Sequence, residues 1–586
     1  LKHKLFTKPL SGNNQKRLVL VLAMIIGLIS GLAAVLLKNT VHYTNDLITN
    51  GFDFTKGNYL YLAFPLIGIG LTVLFASFII KDNIGHGVSK ILYALSRKKG
   101  RLAAHNMYSS MIGSTFTIAF GGSMGLEAPI VLTGSSIGSF LGRRFNLSYK
   151  VIMVLVGAGA TGAIAGIFKA PIAAVVFSLE VLMLDLTMVT LIPLLIASAT
   201  AATVSYFFLG NGVLFSFDMV EGFKINHVIY YAGLGVFTGL VSLYFTNATM
   251  SIEEKFGKLK RRWQRWLLGG LFLGLLIYIF PSLYGEGYEF MHLLINNRTD
   301  GLINESFFHD FTNAGWIILL LALILIFKVV ASAVTGGSGG VGGIFAPSLF
   351  MGAVAGVFYS KVLKLIPWLT DIPEKNLALV GMAGVMAGVM HAPLTGIFLI
   401  AEFTGGYQLF TALIITSVIS YLTIMIFEPH GIYTKRLAKR GELMTHHKDR
   451  NVLQMMSVEK LIETNFNTIS REASLGDLVK VISKSVRNVI SVIDQENNFY
   501  GVVFVNDIRN IMFKTELYKT TMVESLMYMP DIIVDSNETM ESVAQKFQDS
   551  GNYNLPVLKD GKYIGFVSRA RIFSNYRRLL KEFSDE

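Results

Sequence analysis

The sequence predicts an all-α membrane domain of two similar halves, built from broken and tilted helices, followed by a soluble α/β tail. Three observations carry this expectation. Of the 586 residues, 52% are hydrophobic and 15% charged, and the mean hydropathy is +0.53; a single soluble domain is excluded on length and composition together. Glycine-rich turns recur about 220 residues apart, where Gly125-Leu126-Glu127-Ala128-Pro129 is echoed by Gly343-Ile344-Phe345-Ala346-Pro347, and Ala170-Pro171 with Glu180 by Ala392-Pro393 with Glu402. The composition changes near Arg440, from apolar runs to alternating charged and β-branched residues. That change sets the expected domains: residues 1–445 in the membrane, and two tail units at 453–516 and 517–586.

Taken in order, apolar segments run at 18–37, 59–80, 104–120, 147–165, 170–208, 228–248, 266–280, 315–334, 344–364, 377–390, 393–403 and 409–427. Several are shorter than the ~20 residues a helix needs to cross a hydrocarbon core. Short helices at membrane depth must end inside protein or against a water-filled path, because lipid cannot satisfy their free backbone groups. Lys2, Lys4, Lys8, Lys16 and Arg17 precede the first run, and no small-residue cleavage site follows it, so a retained first helix with a cytoplasmic N-terminus is expected. The net charge of +12 comes from clusters beside apolar segments, Arg97-Lys98-Lys99, Lys258 to Arg265 and Lys435 to Arg440. These read as cytoplasmic anchors against lipid and not as a nucleic-acid surface. Cysteine is absent, which removes disulfides and thiolate metal sites.

The polar turns are the expected site. The first amides of a helix lack carbonyl partners and sit at the positive end of its dipole, so they can hold a bare anion without a cationic side chain. Three stretches approach helix starts in this way: Gly85-His86-Gly87-Val88, Gly121 to Glu127, and Gly336 to Phe345. Glycine there lets the backbone come close to an ion.

With the Gly-x-Glu-x-Pro stretch at 125–129, the Gly-Ile-Phe-Ala-Pro stretch at 343–347 and Tyr433 beside Gly431-Ile432, the chain from about Arg17 to Arg440 resembles the CLC chloride channels and chloride/proton antiporters. The resemblance implies two inverted repeats and a homodimer with one anion pathway per subunit. It implies Glu127 as the gating glutamate, whose carboxylate competes with chloride for the outer site. Gly85, His86, Gly87, Gly125, Leu126, Ile344 and Phe345 are the expected anion-binding positions around the turns, and Tyr433 is expected to donate its hydroxyl to the central anion. Two departures stand out. His86 and Ser89 replace the serine and proline common in the family, and Val181 stands where proton-coupled members carry a relay glutamate. Valine cannot carry a proton, so uncoupled, channel-like conduction is expected; antiport through a water-mediated path is the alternative. Glu180, about 100° around the helix from Val181, is expected to be structural.

Beyond residue 450, Val489-Ile490-Ser491-Val492-Ile493 and Gly501-Val502-Val503-Phe504, then a helix opened by Asn506-Asp507, are repeated by Leu555-Pro556-Val557-Leu558, Gly565-Phe566-Val567-Ser568 and a helix from Arg569. The pair is similar to a tandem of CBS domains. Nucleotide-binding pairs hold phosphate and ribose with a Ser or Thr and an Asp three residues on. Here one repeat has Phe504 and Asp507, the other Ser568 and Arg571, so each keeps half and a structural dimer plate is expected in preference to an adenine-nucleotide sensor. An enzyme is not expected, since the Gly336 to Gly343 run lacks a Gly-Lys-Ser/Thr ending and no His-Glu-x-x-His helix occurs. An organic-anion transporter is the weaker rival, because no arginine clamp for a carboxylate is present. No cofactor is required by this reading; chloride is the transported ion.

Overall fold

A computed structural model of the chain describes residues 12–49, 59–210, 222–296, 314–369, 371–439, 453 and 456–584. The chain divides into two compact units, Leu1–Leu443 and Met444–Glu586.

In the first unit, α1 (Gly12–Thr49), α2 (Leu60–Leu74), α3 (Gly87–Arg97), α4 (Asn106–Ala119), α5 (Glu127–Arg144), α6 (Tyr149–Phe168), α7 (Pro171–Glu180) and α8 (Met188–Leu209) form the first half. The second consists of α9 (Val228–Lys258), α10 (Arg262–Ile279), α11 (Tyr288–Ile295), α12 (Ala314–Gly337), α13 (Phe345–Leu363), α14 (Glu374–Met390), α15 (Pro393–Phe403), α16 (Phe410–Met425) and α17 (Ile432–Ala438). Among the described residues, seven helices are long and apolar enough to span a membrane. The apolar run at 170–208 is two helices, not one: Met183 turns the chain with φ +56°, and Thr187 caps α8 by accepting the Thr190 amide. Hydropathy missed this break because the turn is apolar but for Asp185 and Thr187. It also missed α3, α5, α11 and α17, whose windows carry serine, glycine or charge.

The repeat shows in the packing. Pro171 and Pro393 each stand at the first position of their helices, where proline loses no hydrogen bond. Ahead of them, α6 and α14 end on left-handed residues, Lys169 at φ +54° and His391 at φ +56°. The α5/α6 crossing is matched by α13/α14, and glycines set both distances. A Cβ at Gly138 would lie 2.0 Å from the Leu155 carbonyl oxygen, and one at Gly356 would lie 2.1 Å from that of Leu377. Such helices touch backbone to backbone. α7 and α15 close the arrangement by capping each other. The Glu180 carboxylate accepts from the Leu394 amide (3.0 Å), the Thr395 amide (2.7 Å) and the Thr395 hydroxyl (2.7 Å). Glu402 accepts from the amides of Ile172 and Ala173, both at 2.9 Å. Each helix thus lends its C-terminal carboxylate to the positive end of the other.

The second unit holds two three-stranded sheets of the same design, β1 (Thr468–Ile469), β2 (Val489–Ile493), β3 (Phe499–Phe504) and β4 (Val534–Asp535), β5 (Asn554–Lys559), β6 (Lys562–Ser568). In each the first pair is parallel and the second antiparallel, with Ser491 opposite Val502 and Leu555 opposite Val567. α18 (Leu475–Lys484), α19 (Met540–Ser550) and α20 (Arg569–Ser584) accompany them. The helix expected from Asn506-Asp507 is instead a run of turns with i to i−3 bonds, such as Asp507 N–H to Phe504 O. Asn506, Asp507 and Asn510 are poor helix formers. The sheets exchange their lead-in segments. Glu463, ahead of the first sheet, exchanges two backbone bonds with Phe566 of β6, while Tyr528, ahead of the second, exchanges two with Val502 of β3.

Candidate functional site

The two glycine turns cross each other. Gly125 N–H donates to Gly343 O at 2.9 Å and Gly343 N–H to Gly125 O at 2.7 Å. A second reciprocal pair braces them from the preceding helices: Val341 N–H donates to Thr117 Oγ1 (3.0 Å), and Ser123 N–H to Thr335 Oγ1 (3.2 Å). Both pairs consume turn amides that would otherwise be free, and they bring the first turns of α5 and α13 together.

At the equivalent place in the two repeats stand Glu127 and Phe345, each opening its helix. The Glu127 carboxylate reaches across, and its Oε1 accepts from Phe345 N–H at 2.7 Å and Ala346 N–H at 3.1 Å. Glu127 is only 3% exposed, and its Oε2 is buried without a hydrogen-bond partner. Behind the first turn of α13, the Phe345 ring stacks on Phe168 at 5.1 Å, which in turn meets Phe403 at 5.3 Å.

Other expected positions fall into groups. Tyr433 is buried, and its hydroxyl has no hydrogen-bond partner; its carbonyl accepts from Ser89 Oγ at 3.2 Å. The Gly85-His86-Gly87 segment is thereby held beside it. His86 is left-handed (φ +55°) and precedes α3, and Gly87 is glycine of necessity, since a Cβ would fall 2.5 Å from the Ala128 carbonyl oxygen. Several backbone amides are already engaged: Gly85 donates to Asn83 Oδ1, Gly125 to Gly343, and Leu126 to Glu286 Oε1 at 3.0 Å. Val181 is buried and its amide continues the helix to Phe177 O. In the tail, Asp507 is exposed. Ser568 is buried, its hydroxyl donating to the Glu463 carboxylate and accepting from Arg571 N–H. Phe504 stacks on Tyr528 at 5.8 Å.

Glu286 and Lys328 escaped the sequence reading. Both carried a signal: a carboxylate between two glycines after an apolar run, and one lysine inside the run 315–334. A cavity of about 830 Å³ opens beside Glu127, lined also by Glu286, Lys38, Lys169, Tyr284 and Tyr288.

Residues 68–424 match the family of voltage gated chloride channels, and residues 523–578 the CBS domain. A chloride channel protein described as ClcB-like from Ralstonia nicotianae is 31% identical, over 61% of this chain and 80% of its own. The H(+)/Cl(-) exchange transporter ClcA of Vibrio vulnificus is 26% identical, over 72% of this chain and 89% of its own. The crystal structure of a eukaryotic CLC transporter superposes with a TM-score of 0.61 at 17% identity, covering 95% of this chain and 98% of that one. Crossed glycine turns, two helix starts meeting at a carboxylate and the match over most of the first unit lead to one conclusion: this chain is a membrane protein of the CLC, or voltage gated chloride channel, family, with a C-terminal CBS domain.

Proposed function

We propose that this protein carries chloride across a membrane through the space between the first turns of α5 and α13, with Glu127 as its gate. The observation that carries this reading is the bound carboxylate: an anion already sits on the Phe345 and Ala346 amides. A halide ion that displaces it needs N–H and O–H donors alone, and the unpartnered Tyr433 hydroxyl supplies the latter. Protonating Glu127 removes its charge and frees the same amides. His86 stands at the inner entrance in this reading. Flux from liposomes tests it, with chloride expected to move and organic acids to be excluded; organic-acid flux at the chloride rate rejects it.

Transport is uncoupled in this proposal. Val181 offers no proton site, and both oxygens of Glu180 are spent on the start of α15. A relative named as an exchanger favours the second reading, antiport through a water-filled inner path. The assembly is proposed to be a homodimer with one pathway per subunit, in a plasma or inner membrane with both termini cytoplasmic. Apolar side chains exposed on α8 and α16, Ile192, Leu195, Val418 and Leu422 among them, suit lipid or a second subunit. The tail is proposed to be structural: Glu463 occupies the Ser568 hydroxyl that a nucleotide phosphate would need.

A further inference from the structure

The Leu126 amide, at the positive end of α5, is held by a second carboxylate. Glu286 stands between Gly285 (φ +56°) and Gly287 (φ +82°), and its Oε1 accepts that N–H at 3.0 Å. Its backbone has little room to move. A Cβ at Gly287 would meet the Phe350 ring at 2.6 Å, the Tyr284 hydroxyl is tied to the Ala119 carbonyl at 2.8 Å, and Gly285 N–H reaches Gly121 O at 3.4 Å. Lys328, fully buried, anchors the same loop by donating to Gly285 O at 3.2 Å and lies over the Phe350 ring at 4.6 Å.

Two helix starts lie together here, each covered by one carboxylate, and that of α5 lines the cavity through Leu126 and Glu127. Glu127 covers α13 and Glu286 covers α5. The second oxygen of Glu127 is buried there without a hydrogen-bond partner. Charge around it is mixed. Lys38 on α1, Lys169 at the end of α6 and Lys328 on α12 bring ammonium groups, while Tyr61, Tyr284 and Tyr288 bring only phenols. The cavity reaches His42 and Glu289, both exposed.

We propose that Glu286 is a second gating carboxylate, which occupies the α5 amide as Glu127 occupies those of α13, so that an anion entering from the cavity must displace or neutralise both. Protonation of Glu286 opens the entrance without moving the loop. This rests on the chloride pathway proposed above and adds a separate titrating group to it.

The test uses the full chain in planar bilayers, with chloride and pH set independently on each side. Glu286→Gln keeps an oxygen for the Leu126 amide and loses the charge. On the cavity side it is expected to lower the half-saturating chloride concentration at least threefold and to weaken the pH dependence. Glu127→Gln alone should retain part of that side's pH dependence, and the double variant should lose it. A Glu286→Gln protein with the parent's chloride and pH curves on both sides overturns the proposal and leaves Glu286 a helix cap. Should Glu286→Gln not yield monodisperse protein, Glu286→Ser is read by the same curves. If the parent protein passes no anion, the chloride pathway itself fails.

Discussion

Glu127 makes two hydrogen bonds with one oxygen and none with the other, so its charge is balanced by backbone dipoles and not by a cation. Replacing it with glutamine keeps an acceptor for Phe345 N–H but removes the negative charge that competes with chloride. Glu127→Gln is therefore expected to raise chloride flux at neutral pH and to flatten most of the pH profile across about pH 4 to 8. Vesicle flux checks this, and an unchanged profile assigns the gate elsewhere. His86 supports a narrower prediction. Its left-handed backbone suits asparagine as well, and an imidazole can take up a proton where a side-chain amide cannot. His86→Asn should flatten any response to the pH facing α3, whereas an unaltered curve makes His86 a spectator. The motif around Glu127 was legible because both of its turns sit in recognisable repeats. Glu286 was not: it meets Leu126 across 160 positions of chain, and neither residue's neighbours announce the other.

Helices were legible from hydropathy where they were uniformly apolar, whereas α3 and α5 were signalled only by the glycine turns that open them. α5 opens with a glutamate and a proline and carries serines and glycines throughout, so no hydropathy window selects it. Its buried glycines are a packing surface. Gly138→Leu is expected to force α5 from α6, since even a Cβ falls 2.0 Å from a carbonyl oxygen, and overpacking costs about 1–3 kcal/mol or more; a markedly lower melting temperature in detergent is the readout. Glu180 gives a second test at this scale. Removing a charged acceptor leaves the Leu394 and Thr395 amides unpaired, so Glu180→Ala should destabilise by about 2–3 kcal/mol without conferring or abolishing proton movement. Thermal melts and proton flux on one preparation separate stability from coupling. In the tail, hydrogen bonds led by the Asn498 side chain hold the Asp494 carboxyl below the usual aspartate range. A depressed folded value stabilises above the unfolded pKa and is lost as pH falls through the folded one. Asp494→Asn should thus narrow the stability difference between neutral and acidic pH, measured by denaturant unfolding.

At the scale of the molecule, the division near residue 443 was legible from the change in composition, while the exchange of segments between tail sheets was not, because it joins Glu463 to Phe566 and Ser568, residues far apart in the chain. Coupling is also decided at this scale. With a chloride gradient imposed across proteoliposomes, the proposed conduction predicts a reversal potential at the chloride value and no uphill proton movement. Proton pumping that disappears in Glu127→Gln would establish antiport instead.

The clasp between the tail sheets bears on how force travels. Chain leaving the membrane unit arrives at Glu463, and the first strand partner it meets is β6 of the later repeat, not β2 of its own. Tension applied along the connecting segment therefore loads the last-made sheet first. In a pulling experiment the two repeats should yield in one step, as a buckle opens, and not one after the other as beads on a thread.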